Sequence, residues 1–588
     1  MVKRVGLGVV AVAALVAGSA CAQNLSADGA AQTFHAVSEQ YFHDVYFKFQ
    51  PTTGTSAGLH EYDTQLEDYS VASLERQTNA LKLYEKKLEA IDPSSLDEEP
   101  AADYKILLNN IRLGILENEV IRFWEKNPDN YSSGVTGSIF TLMERPYAPV
   151  NVRLRAAIAR EKQIPQVFVE AKKNLKNPPK IYTEIALEQI DGDVSFFEND
   201  VPDAFKDATD PKAKAEFAKT NAAVVAALKE YGAWMKSDLL ARSNGDFKFG
   251  ADAFAKALSY QEMVDIPLDH LLQIGMDDLH KNQAHFAEVA KEIDPTKTPQ
   301  EELAELAGMH PAPADLLKAF HDRFDSEIAF IRSHHIITIP SDVQPTLEET
   351  PPFERATTQA SMDSPGPFET GTTKAYFNVT LPDPKWDAAK TNEYMAAFNT
   401  GTIVSTSVHE AYPGHYVQFL WQNQFPSKIR KLIEPATNVE GWAHYCEQMM
   451  LDEGYGKAVA KDEREEKLIR LGQLQDALMR DARFVVAIRM HTGVGGAMSI
   501  EQAEEFFVKE GYQARPIAEV ETKRGTSDAL YLYYTLGKLE IMKLREDVKK
   551  KQGAAFSLQQ FHDDLMRQGM APIKVIRKAM LHDDSPVL

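Results

Sequence analysis

His409-Glu410-Ala411-Tyr412-Pro413-Gly414-His415 places two histidines and a carboxylate within one or two helical turns. Twenty-five positions after His415 comes Glu440, in Glu440-Gly441-Trp442-Ala443-His444-Tyr445. Two imidazoles and a distant carboxylate form the usual three-ligand set of a catalytic zinc ion, with a fourth position left for water. Glu410 lies next to a ligand, where a general base is needed. The stretch predicts one Zn2+ ion on His409, His415 and Glu440 in a metal-dependent hydrolase with Glu410 as base. It also sets the local fold. A metal helix is expected from about Thr402 to Gln424, interrupted at Pro413-Gly414, and a second helix starting near Asn438 carries Glu440.

The interruption is a requirement. The familiar His-Glu-x-x-His signature puts its histidines at i and i+4 on one helix face. Here they stand six apart, which in a regular helix leaves them roughly 240° apart around the axis. Proline breaks the hydrogen-bond ladder and glycine accepts backbone angles other residues resist. A loop-out at Pro413-Gly414 would return His415 to the face of His409. With 16 His and 86 Asp+Glu in 588 residues, the His-acid-x4-His pattern is expected by chance only about 0.06 times.

The N-terminus reads as a secretory signal peptide, residues 1–22: Lys3 and Arg4, an apolar run from Val5 to Ala17, then Gly18-Ser19-Ala20-Cys21-Ala22. Ala20-x-Ala22 allows cleavage before Gln23. A lipid anchor on Cys21 is the competing reading, disfavoured by Gly18 where a lipobox carries an aliphatic residue. Either way the mature chain is exported, to a periplasm or beyond. Cys446 is then the only other cysteine, so no intrachain disulfide forms. Its expected role is a buried small hydrophobe, with thiolate ligation the lesser reading. Loss of Lys3 and Arg4 takes the net charge from −22 to −24, which argues against nucleic acid or an anionic membrane as partner. No run of about 18 apolar residues within the mature chain suggests a membrane span.

Apolar residues at three- and four-residue spacing predict helices over Leu74–Ile91, Ala101–Trp124, Val152–Leu175, Ala213–Arg242, Pro267–Ile293 and Ala312–Ser333. Further helices are expected over about Asp462–His491, Ser499–Lys509 and Ser527–Lys550, then two short ones within Ser557–Lys578. Ile336–Pro340 and Ala375–Thr380 are β-like. The strand before the metal helix is either part of an ordinary small sheet or an edge along which an extended peptide pairs. The fold class is mainly α with a small sheet near the cleft. Residues 23–335 form a helical N-terminal part and 336–588 a metal-binding part of one continuous unit.

The His409–His415 and Glu440–Ala443 segments, with Tyr445-Cys446-Glu447, resemble a bacterial family known as domain of unknown function 885 (DUF885). Gly58-Leu59-His60-Glu61-Tyr62-Asp63 and Tyr533-Tyr534-Thr535-Leu536-Gly537-Lys538-Leu539 are similar to weaker family segments. The resemblance spans nearly the whole mature chain. It implies a mostly helical, zincin-type metallopeptidase of the glutamate-ligand class, with His409, His415 and Glu440 on zinc and Glu410 as base. His444 departs from the family pattern, which has an apolar residue there; it either supports a ligand from behind or adds a contact to metal or substrate.

The expected reaction is hydrolysis of short peptides, as an oligopeptidase or carboxypeptidase. Glu410 takes a proton from the attacking water and passes it to the leaving amine. A second donor steadies the developing oxyanion. Tyr534 is the first candidate, against simple aromatic packing, and His491 the second, against a helix-capping role. Glu447, two turns after Glu440, orients a ligand histidine or is a solvated acid. Arg480 and Arg483 bind a substrate's C-terminal carboxylate or form structural ion pairs. Two other readings stand beside the peptidase. One is a zinc amidase or esterase acting on a non-peptide acyl group. The other is a non-catalytic metal-binding protein, gaining weight if His444 closes the fourth position.

Overall fold

The computed structural model describes residues 27–351, 355 and 358–588. The signal segment 1–22, with Cys21, lies outside the described residues. The chain is mainly α-helical, and among the described residues it has one three-stranded sheet. No described helix is long and apolar enough to cross a membrane.

Apolar side chains gather into three cores. One runs within residues 66–239. A second joins the Leu268–Ile293 helix to the Glu463–Thr492 helix. The third draws on residues from Ala30 to Val587 and surrounds the sheet and the predicted metal helices. Residue 335 is therefore not a packing boundary, since the second and third cores take residues from both sides of it.

The helices that build the site are α1 (Leu268–Ile293), α2 (Thr400–Glu410), α3 (His415–Gln422), α4 (Ala436–Asp452), α5 (Glu463–Thr492), α6 (Arg515–Ser527) and α7 (Tyr533–Gln552). Their ends are marked in sequence. Asn399 caps α2 by accepting from Gly401 N and Thr402 N, both at 3.0 Å, and Asp462 caps α5 by accepting from Glu465 N at 2.9 Å. The chain enters α4 through Pro435, which offers no cap. Instead Glu262, from another helix, accepts from Ala436 N at 3.0 Å and Thr437 N at 2.9 Å. Glycines let the helices cross closely. A Cβ on Gly441 of α4 would fall 2.5 Å from Gly537 Cα of α7, and one on Gly401 of α2 would fall 2.8 Å from Gly472 Cα of α5. Two side-chain-free crossings thus bring α4 onto α7 and α2 onto α5.

The strands are β1 (Thr346–Glu349), β2 (Ala360–Asp363) and β3 (Tyr376–Val379), in the order β1-β3-β2. β3 pairs in parallel with β1, Thr346 opposite Tyr376, and antiparallel with β2, Ala360 opposite Val379. The strand preceding the metal helix is therefore central and buried on all four residues. Its backbone is already paired on both sides, so the expectation that it offers a free edge to a peptide does not hold.

Three further expectations change. Ile336–Pro340 joins no sheet. Ile336 and Ile337 are buried in the third core, while His562 Nδ1 donates to Ile336 O at 2.7 Å and Thr338 N donates to Asp563 Oδ1 at 2.9 Å. Side chains take the place of a neighbouring strand. The Val152–Leu175 stretch is two helices, Val150–Glu161 and Ile164–Asn174, parted where Pro165 removes an N–H. The Ser527–Lys550 stretch is likewise divided: Ser527 ends α6, and α7 starts only at Tyr533.

Candidate metal centre

α2 ends at Glu410 and α3 begins at His415. Between them Tyr412–Pro413 is a cis peptide. Gly414 N donates back to Val408 O at 3.0 Å, folding the turn against the end of α2. A Cβ on Gly414 would sit 1.8 Å from His409 O and 2.4 Å from Val408 O. No side chain fits there, so glycine is obligatory. Trp442 of α4, fully buried, holds the turn from the other side by donating its indole N–H to Pro413 O at 3.0 Å.

This interruption brings the two imidazoles together. Their ring centroids lie 4.8 Å apart with planes at 89°. Glu440 reaches in from α4: its Oε2 stands 3.4 Å from His409 Nε2 and 3.3 Å from His415 Nε2. Among the described residues these three form the one His/Cys/Asp/Glu group whose ligand atoms all lie close enough for a single ion, within 4.8 Å of each other. Donors bound to zinc at about 2.0–2.2 Å in a tetrahedron stand roughly 3.4 Å apart, so the two His–Glu separations match that geometry.

The proton positions point the same way. Glu447, on α4, accepts from His409 Nδ1 at 2.7 Å, which fixes the tautomer and turns the lone pair of Nε2 toward Glu440. Glu440 Oε2 is buried and has no hydrogen-bond partner among the described residues. A proton on Nε2 or a bound cation must supply positive charge between the imidazole and the carboxylate. Burial alone pulls His409 down, yet the carboxylates of Glu440 and Glu447 outweigh it and hold the imidazole up at about 9. Burial pushes Glu440 up, but His415 and His409 override it and hold the carboxyl well below its usual range. The donor set and its charge fit a divalent cation.

Glu447 is itself held by three groups. Burial acts to raise its pKa, but Arg480, His444 and His409 keep it well below the carboxylate range. Arg480 Nη2 forms an ion pair with Glu447 Oε1 at 2.9 Å and Nη1 donates to Asp476 O at 3.2 Å. His444 donates from Nδ1 to Glu447 Oε2 at 3.2 Å, and burial drives its pKa to about 3. His444 therefore stands neutral behind the centre and supports Glu447, the supporting one of its expected roles. Cys446 is fully buried and its thiol is pushed up by burial, so it packs as a hydrophobe and is no ligand. Glu410 follows His409 at the end of α2, with Oε2 buried and lacking a partner among the described residues.

Tyr534, in the first turn of α7, stacks toward His409 with ring centroids 6.4 Å apart. Burial raises its pKa, so the phenol keeps its proton, while Arg524 Nη2 donates to the same oxygen at 3.0 Å. The guanidiniums of Arg483, Arg524 and Arg480 lie 4.7, 5.6 and 5.7 Å from the Tyr534 ring centre. Arg483 is engaged in a buried two-pronged pair, Nε to Glu521 Oε2 at 2.6 Å and Nη2 to Glu521 Oε1 at 2.8 Å. Its Nε and Nη2 are thereby occupied, and Arg480 is committed to Glu447.

His491 lies elsewhere. It is eleven residues beyond Arg480 on α5, about 16 Å along the axis, with its ring among Phe247, Phe249 and Phe254. Its Nε2 donates to Gly525 O at 2.7 Å, and burial lowers its pKa to about 4. It fastens α5 to α6 and is no oxyanion donor.

Arg524 was not among the sequence candidates. It sits on α6, whose existence the sequence pattern hid, and its approach to Tyr534 depends on the Asp528–Leu532 turn. The Gly58–Asp63 segment is structural. His60 bridges Asp63 at 3.2 Å and Glu369 at 3.0 Å, and stacks on Tyr147 at 3.9 Å, tying the N-terminal helices to the β2–β3 connection.

Residues 51–580 match the family described as "Bacterial protein of unknown function (DUF885)". Solved structures with the same fold include a "putative lipoprotein of unknown function" from Shewanella oneidensis, 26% identical, with a TM-score of 0.75 over 94% of this chain and 99% of that one. Another is a "putative lipoprotein" from Colwellia psychrerythraea, 18% identical, with a TM-score of 0.77 over 95% and 99%. No curated protein matches the chain. The family match covers the whole set of candidate ligand and supporting residues described above, and the chain belongs to the DUF885 family.

Proposed function

We propose that the protein is an exported zinc peptidase of the zincin, glutamate-ligand type, hydrolysing short peptides. The observation that carries this reading is the donor set His409, His415 and Glu440, with Glu440 Oε2 3.4 and 3.3 Å from the two imidazole nitrogens and all three ligand atoms within 4.8 Å of one another, beside an unpartnered Glu410 carboxylate oxygen. A structural site needs no base next to its ligands, whereas a hydrolytic one does.

When bound, the ion supplies Lewis acidity toward a water and a carbonyl. Glu410 accepts a proton as the water oxygen bonds to the amide carbon, then delivers it to the amide nitrogen as the C–N bond breaks. The products are a carboxylic acid and an amine. Tyr534 Oη–H donates to the carbonyl oxygen as negative charge develops there. Glu447, Arg480 and His444 keep His409 in the ligating tautomer. Export is supported by the signal segment at residues 1–22 and by the description of the Shewanella oneidensis protein as a "putative lipoprotein".

Metal analysis of the purified protein, with wild type and Glu410→Gln tested on a mixed peptide library, tests the reading. Zinc at one ion per chain, cleavage by wild type and a loss of rate of at least about 100-fold in the variant are expected. Equal turnover by both would remove Glu410 from the mechanism. Metal without any cleavage would favour a binding protein, and turnover confined to a non-peptide acyl substrate would favour an amidase or esterase.

A further inference from the structure

Three guanidiniums surround Tyr534, and they are not equivalent. Arg480 and Arg483 have side chains only 10% and 6% exposed and are held by Glu447 and Glu521. The Arg524 side chain is 32% exposed. One edge of its guanidinium is fixed: Nε and Nη2 donate to Asp528 Oδ2 at 3.3 and 3.2 Å, and Nη2 also donates to Tyr533 Oη at 3.3 Å and Tyr534 Oη at 3.0 Å. Its Nη1 has no hydrogen-bond partner among the described residues and is not enclosed. Arg524 is thus a charged donor held rigidly beside the metal centre, with one amino group open to solvent.

We infer that Arg524 binds the free C-terminal carboxylate of the substrate, making the protein a carboxypeptidase that releases one or two residues. This rests on the peptidase reading above and names its substrate class. A planar, permanently charged guanidinium is the side chain best matched to a carboxylate. Its position sets the length of the released piece. A carbonyl oxygen on Tyr534 Oη and a carboxylate on Arg524 Nη1 lie no more than about 9 Å apart, from hydrogen-bond lengths and the 3.0 Å contact between Arg524 and Tyr534. An extended chain covers about 3.3–3.6 Å per residue, so that gap holds one or two residues. Asp528 matters as well, because it pins Arg524 and, at 2.7 Å, accepts the Tyr533 hydroxyl.

The test uses N-acetylated hexaalanine as the free acid and as the C-terminal amide. Zinc-loaded wild type should release Ala or Ala-Ala from the acid and act on the amide at least about tenfold more slowly. In Arg524→Ala the acid-to-amide ratio should fall to about 1, with Arg524→Lys in between because it keeps the charge without the fork. Thermal melting checks that each variant is folded. Binding supplies a readout that needs no turnover. The Glu410→Gln protein should bind the acid at least about tenfold more tightly than the amide, and adding Arg524→Ala should remove the difference. Equal cleavage of acid and amide by wild type, with Glu410→Gln inactive, would overturn the role of Arg524 and leave the peptidase reading standing. No cleavage of either peptide, with the binding preference present and dependent on Arg524, would overturn the peptidase reading and uphold the carboxylate site. Absence of both cleavage and preference would overturn both.

Discussion

His409 of α2 donates from Nδ1 to Glu447 Oε1 of α4 across 2.7 Å, and the same carboxylate oxygen is ion-paired with Arg480 Nη2 of α5 at 2.9 Å. Three helices therefore agree on the orientation of one imidazole. Outer contacts of this kind typically change metal affinity by about 10–100-fold. Glu447→Ala is expected to weaken zinc binding within that range, measured by competition with a chelator of known affinity. It also leaves Arg480 buried without its counter-ion, at a cost of about 3–5 kcal/mol. Glu447→Gln keeps an acceptor for His409 and should lose less affinity. Wild-type affinity in both variants would show that the ring needs no support.

Gly414→Ala should be far more damaging than its one added carbon suggests. The new Cβ would meet His409 O at 1.8 Å, and the turn cannot shift without moving His409 or His415. The expected result is loss of stoichiometric zinc binding together with a clear fall in melting temperature. Gly137→Ala is the control. Gly137 is helical and a Cβ there meets nothing within 4 Å, so that variant should match or slightly exceed wild type, by up to about 1 kcal/mol. Metal binding retained in Gly414→Ala would mean that the turn tolerates a side chain.

The grouping of His409, His415 and Glu440 was legible because its chemistry is local. Pro413-Gly414 announces a break, and the misfit of a six-residue spacing requires one. The helices were legible where periodicity is uninterrupted, as in α1, which runs within one residue of its expected limits. What escaped depends on contacts distant in sequence. Ile336–Pro340 looks like a strand because buried β-branched residues look alike whether a strand or the side chains of His562 and Asp563 satisfy the backbone. Arg480 and Arg483 stand out as carboxylate binders until Glu447 and Glu521 are placed beside them. Arg524 does not stand out at all, since nothing near it in sequence says that α6 and α7 fold back at Asp528–Leu532.

Zinc should stabilise the folded chain without creating it. All three cores are built from side chains other than the ligand set, so a chelator is expected to leave the helical circular dichroism signal intact while lowering the melting temperature. Ligand at 1,000 times its dissociation constant adds about 4 kcal/mol. His415→Ala and Glu440→Ala should melt at one temperature with or without zinc. A zinc-dependent rise in either would place the ion elsewhere.

The stability that Glu327 contributes should fall as pH rises from about 4.5 to about 8. Glu327 is fully buried on the Leu316–Ser333 helix, facing Ser407 of α2, and burial lifts its carboxyl from 4.5 to about 8 despite opposing contributions from Ser407 and Arg323. Its folded pKa exceeds the unfolded one, so the folded chain holds a proton that the unfolded chain releases. The contribution is complete below 4.5 and is lost through 8, at about 1.4 kcal/mol per pH unit for one proton. His491 works in the opposite direction. Burial lowers it from 6.5 to about 4, so its contribution is present above 6.5 and is lost as pH falls through 4. Glu327→Gln copies the protonated acid without titrating. Denaturant unfolding at pH 5, 6, 7 and 8 should give the variant a flatter profile, with its advantage over wild type largest at pH 8. Parallel profiles for the two proteins would mean that Glu327 is ionised in the folded state.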